Sequence, residues 1–160
     1  MAEPHVRVLR SIWTNEDWLD LSVTGQWLYQ RLLSHDKFNY AGVIEWKPRK
    51  LTQSAVGASL SLIQSAADEL AEGLFVVFDD DTEECLIRSF VRNDELLKQP
   101  NMAVAVAKGY ANTGSRKIRG VIVHELLRLQ KDQPGLRWEN LSAVLEKPSI
   151  DPRTTLRSVA

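Results

Sequence analysis

Residues 48–91 read PRKLTQSAVGASLSLIQSAADELAEGLFVVFDDDTEECLIRSFV, and this stretch decides the fold that we predict. Pro48 suits the first position of a helix, because its fixed backbone angle is already helical and its missing N–H costs nothing there. Gly57 ends that helix, since glycine is among the weakest helix formers. Ser59 suits the cap of a following helix over residues 60–72, whose apolar side chains recur at helical spacing. The pattern predicts two helices joined by a tight break.

The second half of the stretch predicts a two-stranded hairpin. Gly73 follows the helix at the position that favours a left-handed backbone. Two short runs, residues 74–78 and 85–91, are rich in branched and aromatic side chains, and the acidic turn 79–82 separates them. Two such runs around a short polar turn are typical of antiparallel strands.

The residues before this stretch supply one more helix and one more strand. Ser22 suits a helix cap, and residues 23–34 carry apolar side chains at helical spacing. Residues 43–46 are branched and aromatic, which is typical of a short strand. The complete order of helix, strand, two helices and hairpin is that of a winged helix-turn-helix. We therefore predict a mainly helical α+β protein with a winged helix-turn-helix domain over residues 1–94.

The rest of the chain predicts a C-terminal helical extension. Asn101 and Ser115 suit the caps of two helices, which together form an extension over residues 95–132. Residues 133–160 have a mixed composition and predict a partly ordered tail. Within this tail, the apolar residues between positions 138 and 145 are expected to dock as one short helix.

The charges divide the chain into an acidic and a basic region. Its 160 residues carry 20 basic and 21 acidic side chains, and this balance argues against a protein that coats DNA indiscriminately. Residues 60–86 contain eight acids and no Lys or Arg. Residues 87–137 contain ten bases against four acids, a net charge of +6.

The sequence favours a cytoplasmic protein. Cys85 is the one cysteine, so no internal disulfide forms, and its apolar neighbours predict a buried, unreactive thiol. The N-terminus lacks the apolar segment of a secretion signal, and no run of apolar residues is long enough to span a membrane.

No motif indicates catalysis. The chain has no phosphate-binding glycine loop, no Cys/His cluster and no nucleophile elbow. The acidic turn 79–82 lacks the spacing of a calcium loop. We therefore expect no enzymatic activity, no metal and no cofactor.

Several short segments occur in the order known from a family of phage proteins. They are Ile12-Trp13, Leu21-Ser22, Leu28-Tyr29, Gly42-Val43-Ile44, Pro48-Arg49-Lys50-Leu51, Glu69-Leu70, Gly73-Leu74, Leu86-Ile87-Arg88-Ser89-Phe90-Val91-Arg92-Asn93-Asp94 and Lys98-Gln99-Pro100-Asn101. This ordered set resembles phage and prophage winged helix-turn-helix proteins of the replisome-organiser type, over residues 7–110. The resemblance implies binding of double-stranded DNA, at a replication origin or as a transcriptional regulator.

The resemblance also implies which residues contact DNA. The start of the helix over residues 60–72 would lie in the major groove and direct four polar side chains towards the bases: Ser59, Ser61, Gln64 and Ser65. Glutamine can bind adenine edges, and serine accepts several partners. The start of the preceding helix would lie against phosphates through three cations: Lys47, Arg49 and Lys50. The C-terminal region would add phosphate contacts through five more: Lys98, Lys108, Arg116, Lys117 and Arg119.

Two charge features leave alternatives open. The acidic wing tip, residues 79–81, has the wrong charge for phosphate, so either the wing points away from DNA or the domain binds a protein. The helix after Ser115 begins with three cations, although the dipole at a helix start favours anions. This placement indicates either an anionic partner or a solvated face.

The alternative function is a protein–protein interaction module on the same scaffold. Such a module would modulate a host or phage nucleic-acid-processing complex without binding DNA tightly, and its partner would belong to the replication or transcription machinery. The amphipathic helix after Ser115 would then pack on that partner, on a second copy as a homodimer, or on its own core.

Overall fold

The computed structural model describes residues 5–93, 96–99 and 101–156. In chain order its helices and strands are α1 (Glu16–Leu19), α2 (Val23–Leu33), β1 (Val43–Glu45), α3 (Pro48–Leu51), α4 (Leu60–Glu72), β2 (Val76–Asp79), β3 (Glu84–Ile87), α5 (Phe90–Asn93), α6 (Met102–Asn112), α7 (Arg116–Asp132) and α8 (Ser142–Leu145). Short 3-10 helices occupy Arg10–Thr14, Leu96–Lys98, Glu139–Leu141 and Pro152–Thr155.

The strands form one antiparallel sheet with β3 in the centre, in the order β1-β3-β2. Cys85 of β3 lies opposite Ile44 on one side and Phe78 on the other. All three side chains are buried, and burial raises the pKa of the Cys85 thiol, as expected for an unreactive cysteine. Within the described ranges, the predicted mainly helical α+β class is confirmed.

Three of the four predicted helix caps are confirmed. Ser22, Ser59 and Ser115 each accept a hydrogen bond from the backbone N–H three residues later, at 3.0, 3.3 and 3.1 Å. The predicted cap at Asn101 is wrong, because its side chain makes no cap hydrogen bond and its backbone is already helical, with φ −104° and ψ 0°.

The second predicted helix is shorter than expected. α3 begins at Pro48 as predicted but ends at Leu51, and residues 52–57 form turns instead. Most side chains of this segment are exposed, Val56 completely, so it has no apolar face that a continued helix would bury.

Leu74, and not Gly73, adopts the left-handed backbone after α4. Gly73 has φ −77°, whereas Leu74 has φ +60°. The N–H of Phe75 bonds to the carbonyl of Leu70 at 2.9 Å, and the N–H of Leu74 bonds to that of Ala71, which together form a Schellman motif. Gly73 is needed for space, since a Cβ there would lie 2.9 Å from the Phe75 ring.

The third strand is also shorter than predicted, since β3 ends at Ile87 and the chain turns into α5. Phe90 of α5 packs on Phe38 with ring centroids 4.5 Å apart, which fixes this helical turn against the core. Gly42 lies beneath it with φ +92°, and a Cβ there would lie 2.9 Å from the Phe90 Cβ.

The C-terminal helices share one core with the sheet. Buried side chains of α7, such as Val121, Ile122 and Leu126, belong to the same apolar cluster as those of α2, α4 and the strands. α7 contacts β2 and α5, and α6 contacts the 3-10 helix Glu139–Leu141. Packing is therefore continuous across the predicted boundary at residue 94.

The segment after α8 lies along α7. Ile150 packs over Gly120, its N–H bonds to the Gly120 carbonyl at 3.0 Å, and Pro152 is buried. The expected docking of Trp138 through Leu145 is confirmed, although as the 3-10 helix Glu139–Leu141 followed by α8 rather than as one helix.

Parts of the predicted connector and tail lie outside the described residues, namely Asp94, Glu95, Pro100 and residues 157–160. Among the helices that the structure does describe, none combines the length and apolar character that crossing a membrane requires. The same part of the chain shows no cluster of acidic, histidine or cysteine side chains suited to a metal ion.

Candidate nucleic-acid interface

The first half of α4 presents an uncharged polar face to solvent. Ser61, Gln64 and Ser65 are exposed, whereas Ile63 and Ala66 on the opposite face are buried. α4 contains no Lys or Arg. This face can therefore donate and accept hydrogen bonds but adds no positive charge.

Ser59, the fourth predicted base-contacting residue, already has a structural role. Its Oγ accepts from the Leu62 N–H and lies 3.3 Å from the Ser61 Oγ. Leu62 itself is 47% exposed, beside the polar face.

The second half of α4 is acidic, and one of its carboxylates holds another helix. Glu69 accepts hydrogen bonds from the Ser22 N–H at 2.8 Å and from the Ser22 hydroxyl at 2.6 Å. A negative charge in this position stabilises the N-terminus of α2. Asp68 and Glu72 are exposed on the remaining surface.

The predicted phosphate-binding cations on α3 differ in their availability. Lys47 and Lys50 lie 3.0 and 3.6 Å from the same Oε1 of Glu45. The hydrogen bond from Lys47 lowers the pKa of Glu45 and raises the pKa of Lys47. Arg49 is exposed and forms no ion pair within the described part of the chain, so it is the cation most available to a phosphate.

Lys47 and Lys50 belong to a wider basic recess of about 240 Å³ that also contains Arg31 and Lys37. Four cations surround two acids, Asp36 and Glu45, for a net charge of +2. His35 also lines the recess, and burial lowers its pKa, so it is mainly neutral at pH 7.

A groove of about 280 Å³ brings together two predicted DNA-contacting residues, Gln64 of α4 and Lys117 of α7. Pro48 of α3 lines the same groove, but so do the carboxylates Asp68 and Asp80. Thr155 and Leu156 form a further wall, so the described C-terminal end lies beside the exposed face of α4.

The start of α7 already has anionic partners within the chain. Glu84 accepts from the N–H groups of Gly114 and Ser115, at 3.0 and 2.8 Å. The Ser115 hydroxyl donates to Asp79 at 2.5 Å. Glu84 thus satisfies N–H groups at the helix start, and both carboxylates balance the cations of its first turn, Arg116 and Lys117.

The hairpin turn remains acidic even though part of it is engaged. Asp80 accepts from the Trp46 indole N–H at 3.0 Å, which holds the turn against the chain just before α3. Asp81 and Glu83 are exposed beside it. A phosphate backbone would meet negative charge here.

The other predicted cations are not gathered at α4. Arg116 is exposed at the first position of α7 and Arg119 is half-buried on the same helix. Lys98 and Lys108 are exposed on the 3-10 helix Leu96–Lys98 and on α6. Among the described lining residues, none of these four belongs to the basic recess or to the groove beside Gln64.

A second charged cluster was not predicted from the sequence. Glu125 of α7 is fully buried and accepts hydrogen bonds from Arg88 at 2.9 Å, Arg92 at 3.2 Å and Arg128 at 3.4 Å. In the sequence, Glu125 is a single acid among the apolar residues Val121, Ile122 and Leu126 of α7. A carboxylate at such a position needs cationic partners.

Comparison of the chain with protein-family models, with curated proteins and with solved structures finds no match.

Proposed function

We propose that this chain is a winged helix-turn-helix protein that binds double-stranded DNA, of the kind that phages use as replication organisers or transcriptional regulators. The observation that carries the proposal is the order α2-β1-α3-α4-β2-β3 with sheet order β1-β3-β2. This order is compatible with a winged helix, in which the helix corresponding to α4 would enter the major groove. The exposed, uncharged polar face of α4 is consistent with that role.

In the proposed complex, α4 contacts the DNA bases and α3 contacts the DNA phosphate backbone. Gln64 can form paired hydrogen bonds with adenine, and Ser61 and Ser65 add less selective contacts. Arg49 and Lys50 bind phosphates on the flank of the groove. The acidic hairpin turn adds no phosphate contact, because its Asp80 lines the same groove as Gln64 with a negative charge.

Such an interface makes few phosphate contacts, which sets its salt dependence. Each neutralised phosphate contributes a slope of about −0.9 in log K against log salt concentration, so Lys47, which precedes α3, together with Arg49 and Lys50 gives about −3. Binding is therefore modest at physiological salt and clear at low salt.

The test is fluorescence anisotropy with a labelled random-sequence duplex, titrated at several salt concentrations. The double variant R49A/K50A is expected to weaken binding about tenfold or more and to reduce the salt slope by about 2. The matched control is K131A/R137A, which removes two exposed cations, one near the end of α7 and one after it, and should leave binding unchanged.

Base reading has a separate test, because Gln64→Ala changes no charge. This variant should retain random-duplex binding and lose discrimination among selected sites, by about 1–3 kcal/mol at an adenine. Equal losses for R49A/K50A and K131A/R137A, or no binding at low salt, would contradict the proposal.

A second candidate function is the protein-interaction module, with a partner in the replication or transcription machinery. The absence of Lys and Arg from α4 and the acidic hairpin turn favour it. A homodimer through the apolar stripe of α7 conflicts with the packing, because Ile118, Val121 and Leu126 are fully buried in the chain's own core. A dimer would need other surfaces, and a solution mass equal to one chain at high concentration would exclude it.

A further inference from the structure

A second groove lies at the end of the hairpin opposite its turn. The N–H of Arg88 bonds to the carbonyl of Phe75 at 3.2 Å, which closes the hairpin at this end. The N-terminal segment, residues 7–12, passes beside it and encloses a cavity of about 420 Å³ with α2 and the start of α5. This volume is within the range of protein binding sites.

Two guanidinium groups are held in place along this groove. Arg88 and Arg92 both line it and both bond to the buried carboxylate of Glu125. The Nε of Arg88 also donates to the Leu74 carbonyl at 2.6 Å. Their side chains are 21% and 23% exposed, and Arg7 contributes a third cation to the lining. Arg88 and Arg92 share the one Glu125 carboxylate, which leaves this side of the groove positive.

The groove also contains a buried donor with no acceptor. Trp18 lines the groove, is 1% exposed, and its indole N–H has no hydrogen-bond partner among the described residues. Its ring packs edge-on against Tyr29 and Phe75, at centroid distances of 5.4 and 6.3 Å. A buried polar group without a partner costs about 1–3 kcal/mol, so an acceptor supplied by a ligand would be favourable.

Large apolar side chains surround the groove on the solvent side. Val8 and Leu9 line it and are 51% and 63% exposed, and Trp13 nearby is 59% exposed. Clustered apolar exposure of this kind is typical of sites that bind another protein.

We propose that this groove binds a segment of a partner protein that combines acidic and large apolar side chains. The acidic side chain pairs with Arg92 and Arg88, the apolar side chain packs between Leu9 and the aromatic wall, and a peptide carbonyl accepts from Trp18. Carboxylate and guanidinium match in charge and geometry. A nucleic-acid backbone fits less well, because Val8 and Leu9 make the rim apolar. The inference does not depend on DNA binding by α4.

The test uses a short fluorescein-labelled peptide of Asp, Glu, Leu and Phe residues, titrated with the full chain. A control peptide replaces Asp and Glu by Asn and Gln. The acidic peptide should bind saturably and at least about tenfold more tightly than its neutral counterpart, a difference of about 1.4 kcal/mol.

The chain offers a matched pair of variants. Arg92 and Arg128 both bond to the Glu125 Oε2, but only Arg92 lines the groove. R92Q should weaken peptide binding about tenfold, and R7Q should weaken it as well, whereas R128Q should leave it unchanged. Thermal unfolding of R92Q and R128Q checks that both variants remain folded to a similar degree.

Three results would overturn the proposal. The first is the absence of saturable binding to the acidic peptide, and the second is an equal loss of binding in R92Q and R128Q. The third is displacement of the peptide by single-stranded DNA or inorganic phosphate as effectively as by unlabelled peptide, which would assign the groove to phosphate.

Discussion

Glu69, Asp79 and Glu84 come from the acidic stretch 60–86, and each supports the start of a helix. Glu69 accepts from Ser22 at the start of α2. Asp79 and Glu84 accept from Ser115 at the start of α7. A carboxylate at such a position contributes about 0.3–1 kcal/mol, more when partly buried. Much of the negative charge of this stretch therefore has a structural purpose.

Asp79 leads to a pH-dependent prediction. Burial alone would raise its pKa, but hydrogen bonds from Ser115, Thr82 and Asp81 hold the pKa below the ordinary 3.8. Its stabilising effect is thus complete above that value and is lost as the pH falls through the folded-state pKa. D79N should cost about 1–2 kcal/mol at pH 7, and this difference from wild type should shrink below pH 3.8.

Urea unfolding of the wild type and D79N at pH 7, 4 and 2 measures this difference. D81N is the control, since Asp81 is exposed in the same turn and its carboxylate accepts no hydrogen bond from a described residue. A D79N penalty that stays constant down to pH 2 would mean that the charge of Asp79 is not what stabilises the junction with α7.

At the scale of elements, helix starts depend on local capping residues, whereas the ends of some helices and strands depend on packing against the core. Serine caps place the starts of α2, α4 and α7 where the sequence predicts them, because a cap bond depends on residues only three apart. The ends of α3 and β3 were not predictable in the same way. They depend on whether the next side chains find a core to pack against, as Phe90 does on Phe38.

A comparison of two glycines in turns can distinguish the cost of a left-handed backbone from the cost of a steric collision. Gly42 and Gly57 have similar positive φ values, +92° and +85°, but a Cβ at Gly42 would contact Phe90 while one at Gly57 would meet open space. G57A should cost about 1–2 kcal/mol from the left-handed backbone alone. G42A should cost at least about 1 kcal/mol more because of the collision.

Urea unfolding at pH 7 compares the two alanine variants directly. Equal losses would show that Phe90 moves aside without cost, and that the close contact at Gly42 does not constrain the turn before β1.

At the scale of the whole molecule, one core joins the predicted winged-helix region to the C-terminal helices. The acidic turn lies at one end of the hairpin and the arginine-lined groove at the other, but the groove beside Gln64 extends along β2 from the turn to Leu74, which lines both grooves.

The continuous core predicts a single unfolding transition. If residues 95–132 were an independent extension, they would unfold separately from residues 1–94. Because α7 buries eight residues against the rest of the chain, we expect one cooperative transition. Scanning calorimetry should give equal calorimetric and van't Hoff enthalpies. Two resolved transitions, or fluorescence and circular dichroism curves that do not coincide, would contradict this.

The sequence by itself determined the order of the helices and strands from α2 to β3, the mainly helical α+β class and three helix caps, because periodicity and capping act between near neighbours. The exposure of Ser61, Gln64 and Arg49 also agrees with their positions in the pattern, while their contact with DNA stays a prediction. Only the tertiary structure decided which charges remain available. Glu84 lies 31 residues from Ser115, and Glu125 lies 37 residues from Arg88. Pairings across such distances form only when the core brings the elements together, so local sequence patterns do not reveal them.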